Sequence, residues 1–347
     1  MTDEGSRPPV DVSDPPGHGR LRRVDAGLDG ILVVDKPVGP TSHDIVALVR
    51  RLAGTKRIGH GGTLDPFASG VLPLYLGLAT RVVEFHLGAR KAYRATVCFG
   101  ASSTTDDLEG ELTPANLPPP TRSAVEAALA GFLGRQLQLP PAFSARKVGG
   151  RRAYALARAG QTPVLPARDV TFHSLALERW DETDPAHPLA IIAVACSAGT
   201  YVRALARDLG AAVGNAAYLG ALRRTAAGPF TLDDAVSLDV VRDAAANGRF
   251  AALLRPVGTG LEDLPAVALE ADELSVVAHG GWISEAGRLP AASPATAGTD
   301  SGGGAPSAGR VRLLRADGSL AAIARRAGGR LVPDKVLLPR ESAAPNG

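Results

Sequence analysis

The sequence predicts an α+β protein of two domains, on three observations. Short apolar runs with β-like patterning stand apart from amphipathic segments with helical spacing. A second set of β-like pieces follows near the C-terminus, beyond about Leu264. The chain of 347 residues, 45% hydrophobic, is long enough to bury a full core and leave a smaller unit over.

Residues 1–25 mix Pro, Gly and charge without periodicity and read as a disordered tail. The start, MTDEGSRPPV, has acids and prolines where a secretory signal has a basic end and an apolar stretch, and no apolar run is long enough to span a bilayer. A soluble, cytoplasmic protein without a membrane partner is expected. The first domain is expected over 26–260. Ile31 to Pro37 looks like a buried strand. Thr41 or Ser42 then caps a helix whose Ile45, Leu48, Val49 and Leu52 recur at helical spacing, with Gly54 as a left-handed terminator. The loop IGHGGTLDPFASG leads into the apolar VLPLYLGLATRVVEF. From Tyr93 the residues alternate, with Tyr93, Ala95, Val97 and Phe99 on one face, as a half-buried strand requires.

Residues 111–170 interleave Pro-rich connectors with helix-like segments at Ser123–Leu133 and Arg152–Ala159 and the basic stretch FSARKVGGRRAYALAR, a charge pattern that reads as an RNA-facing insertion. A second buried strand, Ala190–Ser197, runs through Gly199 into the amphipathic TYVRALARDLG, which leads on to YLGALRRTAAG. The second domain is expected over 264–341, interrupted at about 285–309 by an Ala/Gly/Ser/Pro-rich loop without fixed structure.

Charge excludes little: 38 Lys+Arg against 35 Asp+Glu give +3. Cys98 and Cys196 lie in apolar runs without CxxC spacing and are expected as reduced, buried thiols. The seven histidines show no metal-ligand spacing such as H-E-x-x-H, so no metal site is expected.

Asp65, in GHGGTLDPFASG, is the candidate for chemistry. An aspartate here is as well suited to capping the segment that follows. The density of Gly59, Gly61 and Gly62, which lets backbone approach a bulky ligand, favours a site. A phosphate-cradling, nucleotide-binding loop is the weaker reading, because neither a Lys-Ser/Thr pair after the glycines nor a G-x-G-x-x-G is present. His60 and Tyr93 offer flat surfaces on which an extruded base stacks. Basic residues cluster at Arg50, Arg51, Lys56 and Arg57; at Arg90, Lys91 and Arg94; at Arg146, Lys147, Arg151 and Arg152; and at Arg223 and Arg224. One such cluster is usually a solvated face; four near one site suggest a phosphate track.

GILVVDKPVGPTSHDIV, RIGHGGTLDPFASGVLPLYLGLATR, KAYRATVCFG with TTDDLEG, PPAFSARKVGGRRAYALARAG, CSAGTYVRALARDLG and YLGALRRT resemble, in order from about Gly30 to Phe230, the motifs of the TruB-type tRNA pseudouridine synthases. The resemblance implies a pseudouridine synthase fold, with a central mixed, mainly antiparallel sheet flanked by helices, and a small β-rich PUA-like RNA-binding domain. It implies isomerisation of uridine to pseudouridine at position 55 in the T-loop of tRNA, by a monomer without cofactor or metal. It makes Asp65 the nucleophile, Arg203 its ionic partner, Tyr93 the stacking tyrosine, and His60 the histidine that takes the flipped base's place. Tyr201 and Leu222 become substrate contacts, and Lys36 a supporting residue. Two departures, Phe143 where the family often has Tyr and TTDDLEG where it has TDTxD, are expected to lie off the pocket. Two rival readings follow: a non-catalytic tRNA-binding or tRNA-folding protein, and the catalytic subunit of an RNA-guided complex.

Overall fold

The computed structural model describes residues 27–143, 147–148, 151–152, 165–287 and 309–338. The expected tail, all but the first residue of the helix expected at Arg152–Ala159, Arg146 and nearly all of the 285–309 loop lie outside the described residues. Among the described residues no helix is long and apolar enough to cross a membrane.

The strands, in chain order, are β1 Gly30–Lys36, β2 Ile58–His60, β3 Ala68–Leu76, β4 Lys91–Phe99, β5 Ala101–Ser103, β6 Leu112–Pro114, β7 Gly134–Gln138, β8 Lys147–Val148, β9 Arg151–Arg152, β10 Arg168–Asp181, β11 Leu189–Cys196, β12 Ala217–Ala227 and β13 Phe230–Thr231. Past these come β14 Ala266–Ala268, β15 Ile283–Ser284, β16 Arg310–Leu314, β17 Leu320–Ala327 and β18 Arg330–Val336. The large sheet runs β1-β3-β12-β4-β11-β10-β7, with β2 on β3 and β13 on β12. All its pairs are antiparallel except β3 with β12, so it is mixed and mainly antiparallel as expected. A second, five-stranded sheet, β14-β16-β17-β18-β15, forms the C-terminal β unit.

The apolar run of β1 reads as continuous rather than alternating because both faces of the sheet are covered. Leu32 and Val34 enter the main core with the helix Ser42–Leu52. Ile31 and Val33 enter a second core with Val71, Tyr75, Leu264, Ile323 and Leu337, which joins the C-terminal sheet to the first. Thr41 and Asp44 close a capping box on the Ser42–Leu52 helix, and Gly54 terminates it at φ +64°. In β4, Ala95, Val97 and Phe99 are buried, and Tyr93 continues that face where core gives way to cleft. Residues 111–170 contribute the helix Arg122–Gly131, with Val125 and Leu129 buried in the core, and the edge strand β7.

One segment differs from its sequence reading, and another is placed only by the structure. Ile58–His60, expected inside a loop, is strand β2, paired with β3. YLGALRRTAAG, which shows no simple alternation, is β12 at the centre of the sheet. Its pattern is interrupted by Gly220, where a β-carbon would fall 2.4 Å from Cys98 Sγ; on the neighbouring β3, a β-carbon on Gly70 would fall 2.1 Å from the Arg224 carbonyl oxygen. Only glycine admits the close parallel pairing of β3 and β12.

Candidate active site

Asp65 sits in the connection from β2 to β3, and its backbone is held from both sides. Ser42 Oγ accepts from the Leu64 amide (2.9 Å) and donates to the Leu64 carbonyl (3.0 Å). The Pro66 carbonyl accepts from the Gly39 amide (2.9 Å) and from Lys36 Nζ (3.3 Å). Lys36 also donates to the carbonyls of Ala68 (2.6 Å) and Pro37 (2.9 Å). Its side chain is fully buried, and that burial pulls its pKa down to about 8 while the Asp65 charge opposes the shift. Lys36 thus stands behind the loop as a brace. The Asp65 carboxylate accepts no backbone hydrogen bond among the described residues, so the capping role is not what it performs. It stays 38% exposed, facing the cleft.

Its partner comes from the helix Val202–Ala212, whose first turn carries Arg203. Arg203 Nε lies 3.2 Å from Asp65 Oδ2, and the guanidinium, 8% exposed, continues through Nη1 to Asp107 Oδ2 at 3.1 Å. Nη1 also donates to the Thr105 carbonyl (3.2 Å) and Nη2 to the Phe143 carbonyl (2.9 Å). Asp107 is oriented in turn by Thr105 Oγ1 (2.5 Å) and the Glu109 amide (3.0 Å), both on Oδ1. The two departures expected off the pocket therefore touch it indirectly: Phe143 and TTDDLEG both hold Arg203. That expectation is corrected. Phe143 acts through its backbone, which any residue supplies.

Asp107 is the residue that sequence reasoning missed, because TTDDLEGE by itself shows only an acidic turn. A signal was present. Arg203 and Arg207 stand four apart on one helix face, and the consecutive acids Asp107 and Asp106 meet them, the second pair at 2.8 Å.

The opposite wall is built from β4 and β12. Tyr93 is half-buried and hydrogen-bonds through its hydroxyl to Arg224; burial pushes its pKa up. Arg224, 1% exposed, donates from Nε to Val71 O (2.7 Å), from Nη2 to Gly62 O (3.0 Å) and from Nη1 to Thr63 O (3.4 Å). Burial pulls its pKa below the usual arginine range. Lys91, also buried, caps the helix Val83–Leu87 through the carbonyls of His86, Leu87 and Ala89, and burial brings it to about 8. Arg223 points elsewhere, to Asp35 at 2.8 Å. Two of the clustered cations, Lys91 and Arg224, are thus parts of the pocket's frame rather than an outer phosphate track.

Asp65, Tyr93, Tyr201, Arg203 and Leu222 come together around one cleft of about 330 Å³, with Arg224 and Lys91 on its far side. Lys36 and His60 do not line it. His60 ends β2, where its Nδ1 accepts from the Gly62 amide (3.3 Å) and its ring meets His43 edge-on at 5.5 Å. Burial, and then His43, lower its pKa, which favours the neutral ring. A carboxylate held by a guanidinium, a phenol and an apolar side chain facing one hollow suit a flat, uncharged ring joined to a carbon that becomes electron-poor.

Residues 50–202 match the TruB family pseudouridylate synthase N-terminal domain, and residues 203–262 the tRNA pseudouridylate synthase B C-terminal domain. A protein named tRNA pseudouridine synthase B from Thermobifida fusca is 46% identical over 75% of this chain and 88% of its own. One of the same name from Bradyrhizobium diazoefficiens is 39% identical over 91% and 88%. Among solved structures, a chain of an archaeal box H/ACA sRNP Nop10-Cbf5 complex superposes with a TM-score of 0.66 at 25% identity, covering 91% of this chain and 88% of that one. A chain of an H/ACA RNP bound to a substrate RNA containing 2'-deoxyuridine shares the fold, with a TM-score of 0.67 at 24% identity over 91% and 87%.

Proposed function

The chain belongs to the TruB family of pseudouridylate synthases, and from that premise we propose that it converts uridine to pseudouridine in tRNA, at position 55 of the T-loop, with Asp65 as nucleophile. The observation that carries the reading is the half-exposed Asp65 carboxylate, ion-paired to a buried Arg203 that is itself braced by Asp107.

The reaction breaks the C1′–N1 bond, turns the uracil, and joins C5 to C1′; the C5 proton departs and N1 gains one. Nothing is oxidised and no group is imported. Asp65 answers the electron deficiency at C1′, and Arg203, ion-paired to it at 3.2 Å, holds the carboxylate at the cleft. Tyr93 and Leu222 face the detached base. The target uridine lies inside a folded T-loop and must be extruded first, which costs a few kcal/mol that contacts to the RNA offset. In this reading residues 26–260 form the catalytic domain and the C-terminal sheet is a PUA-like RNA-binding unit.

Incubation of the full chain with an unmodified tRNA transcript, followed by mapping of pseudouridine, tests the proposal. Modification at position 55 is expected from the native chain and none from Asp65→Asn. Turnover by that variant defeats the nucleophile assignment, and modification elsewhere defeats the position.

A further inference from the structure

The turn from Ser197 to Tyr201, one wall of the cleft, rests on the paired edge of the large sheet. β7 and β10 place Gln138 directly opposite Arg168, and residues opposite each other on an antiparallel pair share a face. Gln138 is buried and closes two hydrogen bonds on the Tyr201 backbone, donating to its carbonyl at 3.0 Å and accepting from its amide at 2.9 Å. The Thr171 amide donates to Ser197 Oγ (2.9 Å) and the Ser197 amide to the Thr171 carbonyl (2.8 Å). Both ends of the turn are therefore fixed without Arg168.

Arg168 nonetheless lies against it. A β-carbon on Gly199 would fall 2.3 Å from Arg168 Nη2 and 2.6 Å from Cζ, so the guanidinium occupies the space that a side chain at 199 would need. Its Nε is buried without a hydrogen-bond partner, an arrangement that destabilises a fold unless something supplies an acceptor. Among the described residues no carboxylate pairs with it; the adjacent Asp169 is taken by Arg135 at 2.9 Å. The preceding stretch of sequence, 144–164, contains no Asp or Glu. Arg203, Arg207 and Arg223 each have a carboxylate partner. Arg168 is a half-buried cation beside the cleft whose charge no carboxylate among the described residues answers.

We propose that Arg168 binds a backbone phosphate of the RNA strand next to the uridine that enters the cleft, an inference that rests on the reading of the chain as a tRNA-modifying enzyme. A nucleotide in the cleft brings phosphates to its walls, and the planar guanidinium takes a phosphate through two parallel N–H donors. Lysine at this place would keep the charge and lose the fork.

The test measures tRNA affinity against salt for the native chain, Arg168→Gln and Arg168→Lys, together with kcat at saturating tRNA. Arg168→Gln is expected to bind roughly tenfold more weakly, as for one lost hydrogen bond to a charged group. Its log K against log salt should be shallower by about 0.7, the value for one single-strand phosphate, with kcat within a factor of about three. Arg168→Lys should retain the slope. An unchanged slope overturns the proposal, as does a fall in kcat with unchanged affinity, which would make Arg168 a support of the turn only. Should Arg168→Gln fail to fold, the native chain still decides: replacing single phosphates near the target with neutral methylphosphonates must weaken binding at one position, and weakening at none overturns the proposal. Failure of the native chain to modify tRNA would instead defeat the functional reading beneath it.

Discussion

The two walls of the cleft hold their arginines by opposite means. On the Asp65 wall, Arg203 lies between two carboxylates, and on the Tyr93 wall Arg224 is held by three carbonyl oxygens and a phenol. One guanidinium between two carboxylates leaves its wall negative, while Arg224 and Lys91, bound only to neutral oxygens, leave theirs positive. The difference teaches that residue type alone does not fix a role. Arg203 bridges the carboxylates of Asp65 and Asp107, whereas Arg224 ties the Gly62–Thr63 backbone to the strand that carries Tyr93, and its charge faces the same hollow.

The sharpest way to break this comparison is to remove the charge on which the first wall is built. Asp65→Asn should lower turnover by several powers of ten, as loss of a nucleophile does, while tRNA affinity in a filter-binding assay stays within a few-fold. Next in size, Arg203→Met strands Asp107, 3% exposed, without its counter-charge. A loss of about 3–5 kcal/mol in urea unfolding is expected, and Asp107→Asn introduced into Arg203→Met should recover much of it. If the double variant is no more stable than the single one, Asp107 is not the charge that Arg203 offsets.

The second wall makes a prediction about pH. Burial pulls Lys91 down to about 8 in the folded chain from its ordinary 10.5, so between those values the unfolded chain binds more protons and stability rises with pH. The gain is at most ~1.4 kcal/mol per pH unit. Relative to Lys91→Met, the native chain should therefore gain stability from pH 8 towards 10.5; a difference that stays flat with pH contradicts the buried, charged Lys91. The smallest effect belongs to a pair outside both walls: Arg94→Ala, which removes the exposed contact with Glu178 at 2.7 Å, should change stability by less than about 1 kcal/mol.

Local chemistry made much of this legible. The capping pattern at Thr41, the terminating Gly54, the alternation from Tyr93 to Phe99 and the strand–glycine–helix passage through Gly199 are written in short windows, and the structure contains each of them. Asp65 was conspicuous for a similar reason, since an acid among glycines and apolar runs invites an explanation. The pairing of Asp107 with Arg203 spans 96 residues, and no window of sequence contains both. Arg224 looked like half of a basic surface dipeptide because adjacent residues of a strand differ only in the face they present; Arg223 reaches Asp35 while Arg224 is buried.

By itself, then, the sequence marked the strand at Ile31, the helix after Thr41, the strand from Tyr93, a candidate aspartate and the membership of a family, all of which depend on neighbours along the chain. Tertiary structure alone decided which charges are answered. Whether a guanidinium meets two carboxylates, three carbonyls or none depends on what distant strands bring within about 3 Å. Arg203, Arg224 and Arg168 are one residue type in three such surroundings.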